Sequence, residues 1–464
     1  MLHSPRTRGS FVIVAGATLA TLATLAPSAR ALAQDAATTP RTGDATSPTP
    51  GATVEPLADF YALALRANPR IAAAQALARA AQARIPGARR PSDPQLQIGF
   101  MNYTLPGLTP MDPLGMVQLQ LMQMLPLGNK LALAGKSAEA QAAALAARVD
   151  EVAWELRAQV AMAYYDLAAT DRSLASARTS LRLLRDIATT SEAMYRVGEG
   201  RQADVLRARV EIARMVEDTL RMQAMRETMR ARLNALVDRE SDTDVVAAFP
   251  RFPDSLPTRP WLDSVASAAR PMVRAGLEQL RAAEAGERLA RKELIPDVQL
   301  GVQYGQRSAS GMEGGRSTER MGSLMIGASI PVFARSRQLQ MREEALAMRQ
   351  MAQADVASMR LETRGKVGES FAALQRARRL QQLYRTEILP QAEAAVTSAL
   401  AAYRAGSVDF MTLLDNQMNV NRYRQELATL DAEQGKAWAE LEMLAGRSLI
   451  DAASTQGAAP GGSR

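Results

Sequence analysis

The chain has 464 residues, of which 47% are hydrophobic and only 4% aromatic, and its formal net charge is +8. A composition dominated by Ala, Leu, Arg, Glu, Gln and Met favours long helices and coiled coils over a compact enzyme core. The single His is His3 and Cys is absent, which excludes Ser-His-Asp and Cys-His catalysis and His-metal sites beyond the first residues.

Other enzyme and nucleic-acid functions are also disfavoured. Hydrolysis by carboxylates alone stays open on residue counts, but no pattern places two carboxylates together in a cleft. Basic and acidic residues are interleaved, which predicts solvated helix faces rather than a surface that binds nucleic acid. We therefore expect no catalytic residue, no cofactor and no nucleic-acid partner.

The first residues have the pattern of an export signal. An apolar run from Phe11 to Ala26 follows a basic start, and Ala31-Leu32-Ala33 fits the small-x-small rule for signal cleavage. We predict a signal peptide over residues 1–33, cleaved before Gln34. The alternative is an uncleaved membrane anchor, which the shortness of the run disfavours. No later segment approaches the ~18 apolar residues of a membrane-spanning helix.

Two further segments have the composition of unstructured chain. Residues 34–54 are rich in Ala, Thr, Asp, Pro and Gly, which predicts a flexible linker, and residues 451–464 are predicted to be a disordered tail. The absence of Cys also removes disulfides and any acceptor for a lipid anchor.

An internal duplication organises the rest of the chain. Five sequence landmarks recur in the same order, about 200 residues apart. They are Asn68-Pro69 with Arg270-Pro271, Ile85-Pro86 with Ile295-Pro296, Leu125-Pro126-Leu127 with Ile330-Pro331-Val332, Tyr195-Arg196-Val197-Gly198 with Tyr403-Arg404-Ala405-Gly406, and Leu233 and Leu236 with Leu441 and Leu444. This predicts two repeats, residues 55–250 and 251–450, each reading helix, strand, loop, strand, long helix, turn and helix.

Each repeat contains two segments in which apolar and polar residues alternate. These predicted strands cover about residues 95–103, 116–125, 297–305 and 322–330. Period-two alternation gives a strand one apolar and one polar face, and the polar faces here carry Gln, Gly and Ser rather than Lys and Glu. A half-buried sheet in a soluble domain is the alternative, but nine to ten residues is also the length of a strand that crosses a bilayer.

If these strands span a membrane, several chains have to contribute strands to one barrel. Four strands do not close a membrane barrel, and open sheet edges are not tolerated in lipid. Two chains would supply eight strands and three chains would supply twelve. The loops 104–115 and 306–321 would then face the outside.

Long helices follow the predicted strands in both repeats. The first runs from Asn129 to Ala193 without proline, about 97 Å at 1.5 Å per residue, and its apolar residues step by three or four as in a coiled coil. The second runs from Arg335 to about Ala402, and Pro390 is predicted to kink or break it near Ile388. A tunnel across the periplasm would use helices of this length, and so would an elongated scaffold.

Two turn motifs and one strand-to-helix segment carry a family resemblance. The motifs are Ala193-Met194-Tyr195-Arg196-Val197-Gly198 with Asp204-Val205-Leu206, and Ala402-Tyr403-Arg404-Ala405-Gly406 with Phe410-Met411-Thr412-Leu413-Leu414-Asp415. With them, residues 57–447 resemble the TolC family of outer-membrane efflux proteins. Within that family, Gln118 to Lys130 is similar to the Pro-x-Gly-Lys segment of the heavy-metal (CusC- and CzcC-like) members, although Asn129 is inserted before Lys130.

This resemblance implies an architecture and a function. The expected fold is an α-helical coiled-coil barrel plus a twelve-stranded β-barrel, built by a homotrimer with four strands per protomer and set in outer-membrane lipid. The expected function is a passive duct that exports small solutes, metal cations or drugs, with a periplasmic adaptor and an inner-membrane pump, commonly of the RND type. A type I protein secretion channel of the same fold, or a non-channel periplasmic scaffold, is the alternative.

The resemblance also implies roles for six residues. The Tyr-x-x-Gly turns, with Tyr195, Gly198 and Gly406, would form periplasmic tips that dock the adaptor. Asp204, Tyr403 and Asp415 would form the periplasmic gate: Asp204 and Tyr403 match positions that link inner and outer helices, and Asp415 matches one position of an acidic ring. Thr412 and Val408 stand where the family has a second acid and a gate Arg, which predicts fewer links and a weaker ring.

Methionine is the remaining candidate for a chemical role. Of the 23 Met residues, several cluster near the two predicted hairpins, at Met111, Met116, Met122, Met124, Met312, Met321 and Met325. Thioethers suit Cu(I), but Met is also a flexible apolar filler on barrel walls and helices. We therefore predict no metal site.

Overall fold

The computed structural model describes residues 54–111, 115–253, 255–310 and 316–449. The predicted signal peptide, residues 34–53 of the predicted linker, and the predicted tail lie outside the described residues. Across those described ranges, no helix combines the length and the apolar character that crossing a membrane requires.

Helices and strands follow one another in the same order twice. The helices are α1 (Leu57–Ala67), α2 (Pro69–Ala88), α3 (Lys130–Arg196), α4 (Gln202–Leu236), α5 (Arg259–Ala269), α6 (Pro271–Lys292), α7 (Gln338–Leu383), α8 (Leu389–Arg404) and α9 (Phe410–Ala445). The strands are β1 (Gln95–Met101), β2 (Tyr103–Thr104), β3 (Thr109–Pro110), β4 (Met116–Leu125), β5 (Val298–Ser310) and β6 (Arg316–Ala328). Two short helices, a strand pair, a long helix and a returning helix thus occur in each half.

Four strands form one antiparallel sheet in the order β1-β4-β5-β6. Its register places apolar residues in one row across all four strands, namely Leu96, Leu121, Val302 and Leu324. The neighbouring row is polar and consists of Gln97, Gln120, Gln303 and Ser323. The apolar row is exposed in the single chain, from 47% at Leu121 to 72% at Leu324. The alternation seen in the sequence therefore describes a real two-faced sheet.

The second hairpin is longer than its apolar pattern predicts. Each of β5 and β6 has 13 residues, so residues 306–310 and 316–321 of the predicted outer loop are paired strand. Strands can pair through their backbones without alternating apolar residues. An ion pair between the strands stabilises the additional part of the hairpin, because Arg307 Nη2 lies 2.5 Å from Glu319 Oε2. The first predicted strand, 95–103, ends earlier at Met101, and β2 at Tyr103–Thr104 pairs with β3 in a separate short hairpin.

The long helices pack around several cores rather than one. In α3, Leu156, Val160 and Leu167 are fully buried against Phe60 of α1 and Leu233 of α4. A second core lies toward the end of α3 and includes Leu184 and Phe410, and a third surrounds Trp438. The apolar residues that recur every three or four positions in α3 therefore form the buried face of the helix. A coiled coil packs through a face of this kind.

Pro390 interrupts the second long helix at the predicted place. A π-helical turn over Tyr384–Ile388 separates α7 from α8. Proline has no N–H to donate and its ring clashes with the carbonyl four residues earlier, that of Thr386. Widening the helix by one residue at that point accommodates the ring.

A buried ion pair joins the two halves. The guanidinium of Arg270, just before α6, donates from Nε (3.1 Å) and Nη2 (2.8 Å) to Glu151 Oε1 in α3. Arg270 Nη1 donates to the Thr363 hydroxyl of α7, and Glu151 Oε2 accepts the Met272 N–H. Glu151 and Arg270 are only 5% and 4% exposed, so the pair holds three helices together in a place that water does not reach.

The segment between β4 and α3 explains the inserted residue. Gly128 and Asn129 both have positive φ, 74° and 63°, which is a conformation that Gly and Asn adopt more readily than other residues. The turn brings Lys130 into a buried position, where Nζ lies 2.8 Å from Asp297 Oδ1 and 2.9 Å from the Ile295 carbonyl. Lys130 thus ties the start of α3 to the start of β5.

Candidate functional site

The two Tyr-x-x-Gly turns have the same backbone geometry. Gly198, between α3 and α4, has φ 82°, and Gly406, between α8 and α9, has φ 71°. The N–H of each Gly donates to the carbonyl of its Tyr, at 3.1 Å for Tyr195 and 3.0 Å for Tyr403, and the next N–H closes a wider ring onto the helix. This pair of bonds is the Schellman motif, which ends a helix at a residue with positive φ.

The two turns differ in how the following helix begins. Asp409 caps α9, since its carboxylate accepts the Thr412 N–H at 3.3 Å and also the Thr412 hydroxyl. These hydrogen bonds, first that of the hydroxyl, hold the pKa of the Asp409 carboxyl below its usual value. Arg201, which holds the same position before α4, makes no side-chain cap. The second turn is therefore stabilised by a side-chain helix cap that the first turn lacks.

Tyr403 does not contact Asp204 within the chain. Its hydroxyl donates to Ser191 Oγ of α3 at 2.9 Å, and its ring stacks edge-on against Phe410 with centroids 5.9 Å apart. Tyr403 is 5% exposed, so its hydroxyl is already used in the helical core. The structure therefore shows Tyr403 bonded to Ser191 of α3 rather than to Asp204, and its role in the gate stays a prediction.

The two acidic gate candidates lie on different helices. Asp204 is half-buried in the first turn of α4, where a carboxylate is stabilised by the positive end of the helix dipole. Asp415 is exposed on α9. Neither carboxylate has a partner within the part of the chain that the structure describes, so both are available to groups outside the protomer.

Sequence reasoning missed Ser191 and Asp409. Ser191 gives no signal of its own, because a Ser inside a helix usually bonds its own backbone, as Ser191 also does by donating to the Ile187 carbonyl at 3.0 Å. Asp409 did carry a signal: an Asp three residues before Thr412 at the start of an apolar helix is a helix-capping pattern.

Removal of the Tyr403 hydroxyl is expected to reveal its partner. Tyr403→Phe should lower the free energy of unfolding by about 1 kcal/mol, the usual worth of a neutral hydrogen bond. In double-mutant cycles, Tyr403→Phe should couple to Ser191→Ala and be additive with Asp204→Ala. Chemical denaturation followed by circular dichroism provides the measurement. Coupling to Asp204 instead would contradict the observed contact.

A family model described as "Outer membrane efflux protein" matches residues 60–238 and 262–447, one segment in each half. The chain belongs to the outer membrane efflux protein family. Membership places the chain among the outer-membrane efflux proteins, and it agrees with the TolC-like fold that the family resemblance implies. The family is one of channels rather than of enzymes.

A relative in sequence agrees with this assignment. The chain is 24% identical over 307 residues to the pyoverdine export outer membrane protein OpmQ of Pseudomonas putida, and the match covers 63% of this chain and 62% of that protein. The chain therefore spans less than two thirds of the length of this relative.

Solved structures show the same fold. The outer-membrane channel OprN has a TM-score of 0.70 and 22% identity, covering 84% of this chain and 89% of that one. VceC of Vibrio cholerae has a TM-score of 0.72 and 19% identity, covering 84% and 96%. CusC has a TM-score of 0.72 and 18% identity, covering 84% and 92%. The fold is thus that of the TolC-like outer-membrane channels.

Proposed function

We propose that three copies of this chain form the outer-membrane duct of a tripartite efflux system. The observation that carries the proposal is the four-stranded sheet, whose apolar row is exposed and whose outer strands β1 and β6 have unpaired edges. An apolar face of this kind suits lipid, and unpaired edges in lipid cost several kcal/mol per group. Pairing β6 of one copy with β1 of the next removes every edge.

The size of the pore favours three copies over two. Two copies would give eight strands, and the interior of an eight-stranded barrel is filled by its own side chains. Three copies of the four-stranded sheet would give a twelve-stranded barrel with room for solutes. The polar row with Gln97, Gln120, Gln303 and Ser323 would then line the lumen with uncharged groups, which allows passage without tight binding.

Purified protein in a planar bilayer tests the proposal directly. We expect heat-modifiable trimers in the outer-membrane fraction, and stepwise conductance when they are reconstituted. Protein that is only monomeric, or trimers that never conduct, would contradict the duct and favour the scaffold.

The partners follow from the form of the duct. Because a duct supplies no driving energy, we propose a periplasmic adaptor and an inner-membrane pump, with an RND transporter as the pump. We further propose small solutes as cargo, metal cations or drugs, which the pyoverdine export named for the OpmQ relative supports. Retention of small solutes in a deletion strain is the expected result. Loss of a secreted protein instead would favour the protein-secretion alternative.

The tip at Gly406 is expected to be required for adaptor docking. Gly406→Val should strain a backbone at φ 71° by about 1–2 kcal/mol and reduce site-specific crosslinking of the tip to the adaptor severalfold. Gly406→Asn is the matched control, because Asn tolerates positive φ, and it should crosslink like the wild type. Equal crosslinking by a folded Gly406→Val variant would remove the docking role.

Asp415 is expected to make the periplasmic mouth selective for cations. Three exposed copies of this carboxylate around a narrow aperture would attract cations and hold multivalent ones. In single-channel recordings, Asp415→Asn should reduce both cation preference and block by multivalent cations severalfold. An unchanged preference would exclude Asp415 from the aperture.

Asp204 supplies a second test of the mouth. If its unpartnered carboxylate binds a neighbouring protomer, Asp204→Ala should loosen the mouth and raise the conductance. A conductance equal to that of the wild type would remove Asp204 from the gate.

A further inference from the structure

A cavity of about 710 Å³ lies beside the junction between the two halves. Its walls come from α3, from the connection that follows Phe249, from α7 with the π turn, and from α9. Five arginines line it, namely Arg172, Arg251, Arg378, Arg379 and Arg385. Asp431 is the one acidic residue among the described lining residues, and Asp254, next to the lining in sequence, lies outside the described part. Arg378 has an interaction of its own, and the other four arginines outnumber this one acid of the described lining.

Asp431 fixes two of these arginines. Its side chain is only 4% exposed, and its two carboxylate oxygens accept separately from Arg172 and from Arg385, the latter at 2.5 Å. Burial raises the pKa of the Asp431 carboxyl, and the two guanidiniums oppose that shift. Arg172 also lies over the Phe249 ring, 4.7 Å from its centroid. The two guanidiniums are thus held in place at the cavity wall.

The π turn contributes to the same wall. Arg385 and Thr386 both belong to the segment Tyr384–Ile388 and both line the cavity. A π turn changes the direction in which the following side chains point, and such turns occur frequently at functional sites. Here the distortion caused by Pro390 coincides with the place where a guanidinium and a hydroxyl enter the cavity.

We propose that this cavity binds a small multivalent oxyanion, a di- or tricarboxylate or a polyphosphate. Its volume is that of a small-molecule site, and planar guanidiniums bind carboxylate and phosphate oxygens in pairs. Gln375, Gln382 and Thr386 add neutral polar groups to the lining. An anion of this kind offsets the mutual repulsion among Arg172, Arg251, Arg379 and Arg385, which outnumber Asp431 in the described lining.

The position of the cavity excludes membrane phosphates as the source. Arg172 lies about 40 residues along α3 from Lys130, which is about 60 Å from the sheet at 1.5 Å per residue. Lipid headgroups at the base of the barrel do not reach that far. The ligand is therefore an anion that is free in solution.

Isothermal titration of the full-length protein tests the proposal, with tripolyphosphate and citrate as probes at about 0.15 M salt. We expect saturable binding of at least one probe, and none of acetate. The variant Arg251→Gln/Arg379→Gln should weaken binding at least about tenfold, because hydrogen bonds to charged groups are lost. Both side chains are exposed, so the fold should persist. Preference for citrate or tripolyphosphate identifies carboxylate or phosphate as the ligand group.

The matched control, Arg360→Gln/Arg364→Gln, removes two positive charges outside the cavity from α7, the helix that carries Arg379. This variant should bind like the wild type. Absence of binding to either probe at about 1 mM would overturn the proposal, and so would equal weakening by the control, which indicates general charge attraction. Dissociation of the trimer by the cavity variant alone would also overturn it, because the arginines would then contact a neighbouring protomer.

Discussion

Replacing Glu151 by Leu is expected to lower the free energy of unfolding by about 3–5 kcal/mol. The substitution leaves the Arg270 guanidinium buried, at 4% exposure, without the carboxylate that accepts two of its N–H groups. It also removes the acceptor of the Met272 N–H at the start of α6. A loss of this size is comparable to much of the stability of a typical domain, so the folded yield should fall sharply.

Two control variants separate the buried pair from general effects on α3. Glu155→Leu, one turn along the same helix, removes a 40% exposed carboxylate that lies 3.5 Å from Arg70, and it should cost less than about 1 kcal/mol. The double variant Glu151→Leu/Arg270→Met should recover much of the loss, because no uncompensated charge remains buried. Denaturation midpoints provide the comparison. Equal losses for Glu151→Leu and Glu155→Leu would contradict the role of the pair.

Deleting residues 297–330 is expected to abolish both assembly and membrane insertion. The deletion removes β5 and β6, and β4 then loses its pairing from Met116 to Leu125 with β5. Each protomer would keep only two strands of the four, with β4 as a new open edge that lipid does not tolerate. Fractionation and native electrophoresis should find only monomer outside the outer membrane.

A smaller deletion is the matched control. Replacing residues 103–110 by a short Gly-Ser link removes the separate hairpin of β2 and β3 but leaves all four strands of the main sheet. This variant should still assemble and insert. Soluble trimers formed by the larger deletion would show that the helices alone determine the oligomer, and that pairing of the strand edges is not required for assembly.

The parts of the fold that sequence predicts best are those with a strong local period. The strand over Met116–Leu125 and the long helix α3 were predicted within a few residues, because alternation and the helical stripe are properties of neighbouring residues. The ends of β5 and β6 were not predicted, since residues 306–310 pair through backbone hydrogen bonds without an apolar pattern. The ends of these two strands are determined by their pairing with each other, which the pattern of neighbouring residues does not show.

Contacts between distant segments account for the remaining differences. Tyr403 and Ser191 are 212 residues apart. The sequence around a Tyr does not indicate which distant hydroxyl or carboxylate will accept its hydrogen bond. The arginine cavity is similar, because Arg172, Arg385 and Asp431 meet only once the two halves are packed. Each of these arginines, taken alone in the sequence, resembles any other charge on a solvated helix.

The unequal heights of the strands shape the outer rim of the proposed barrel. At the outer end of the sheet, β1 ends and β4 begins in the row of Arg307 and Glu319. The strands β5 and β6 continue three residues beyond that row, roughly 10 Å along the strand. Around a threefold axis this gives a scalloped crown, with three raised ribbons separated by three notches. A large particle that approaches from outside, such as an antibody, would land on the ribbons, while solutes leaving the pore could escape sideways through the notches beneath it.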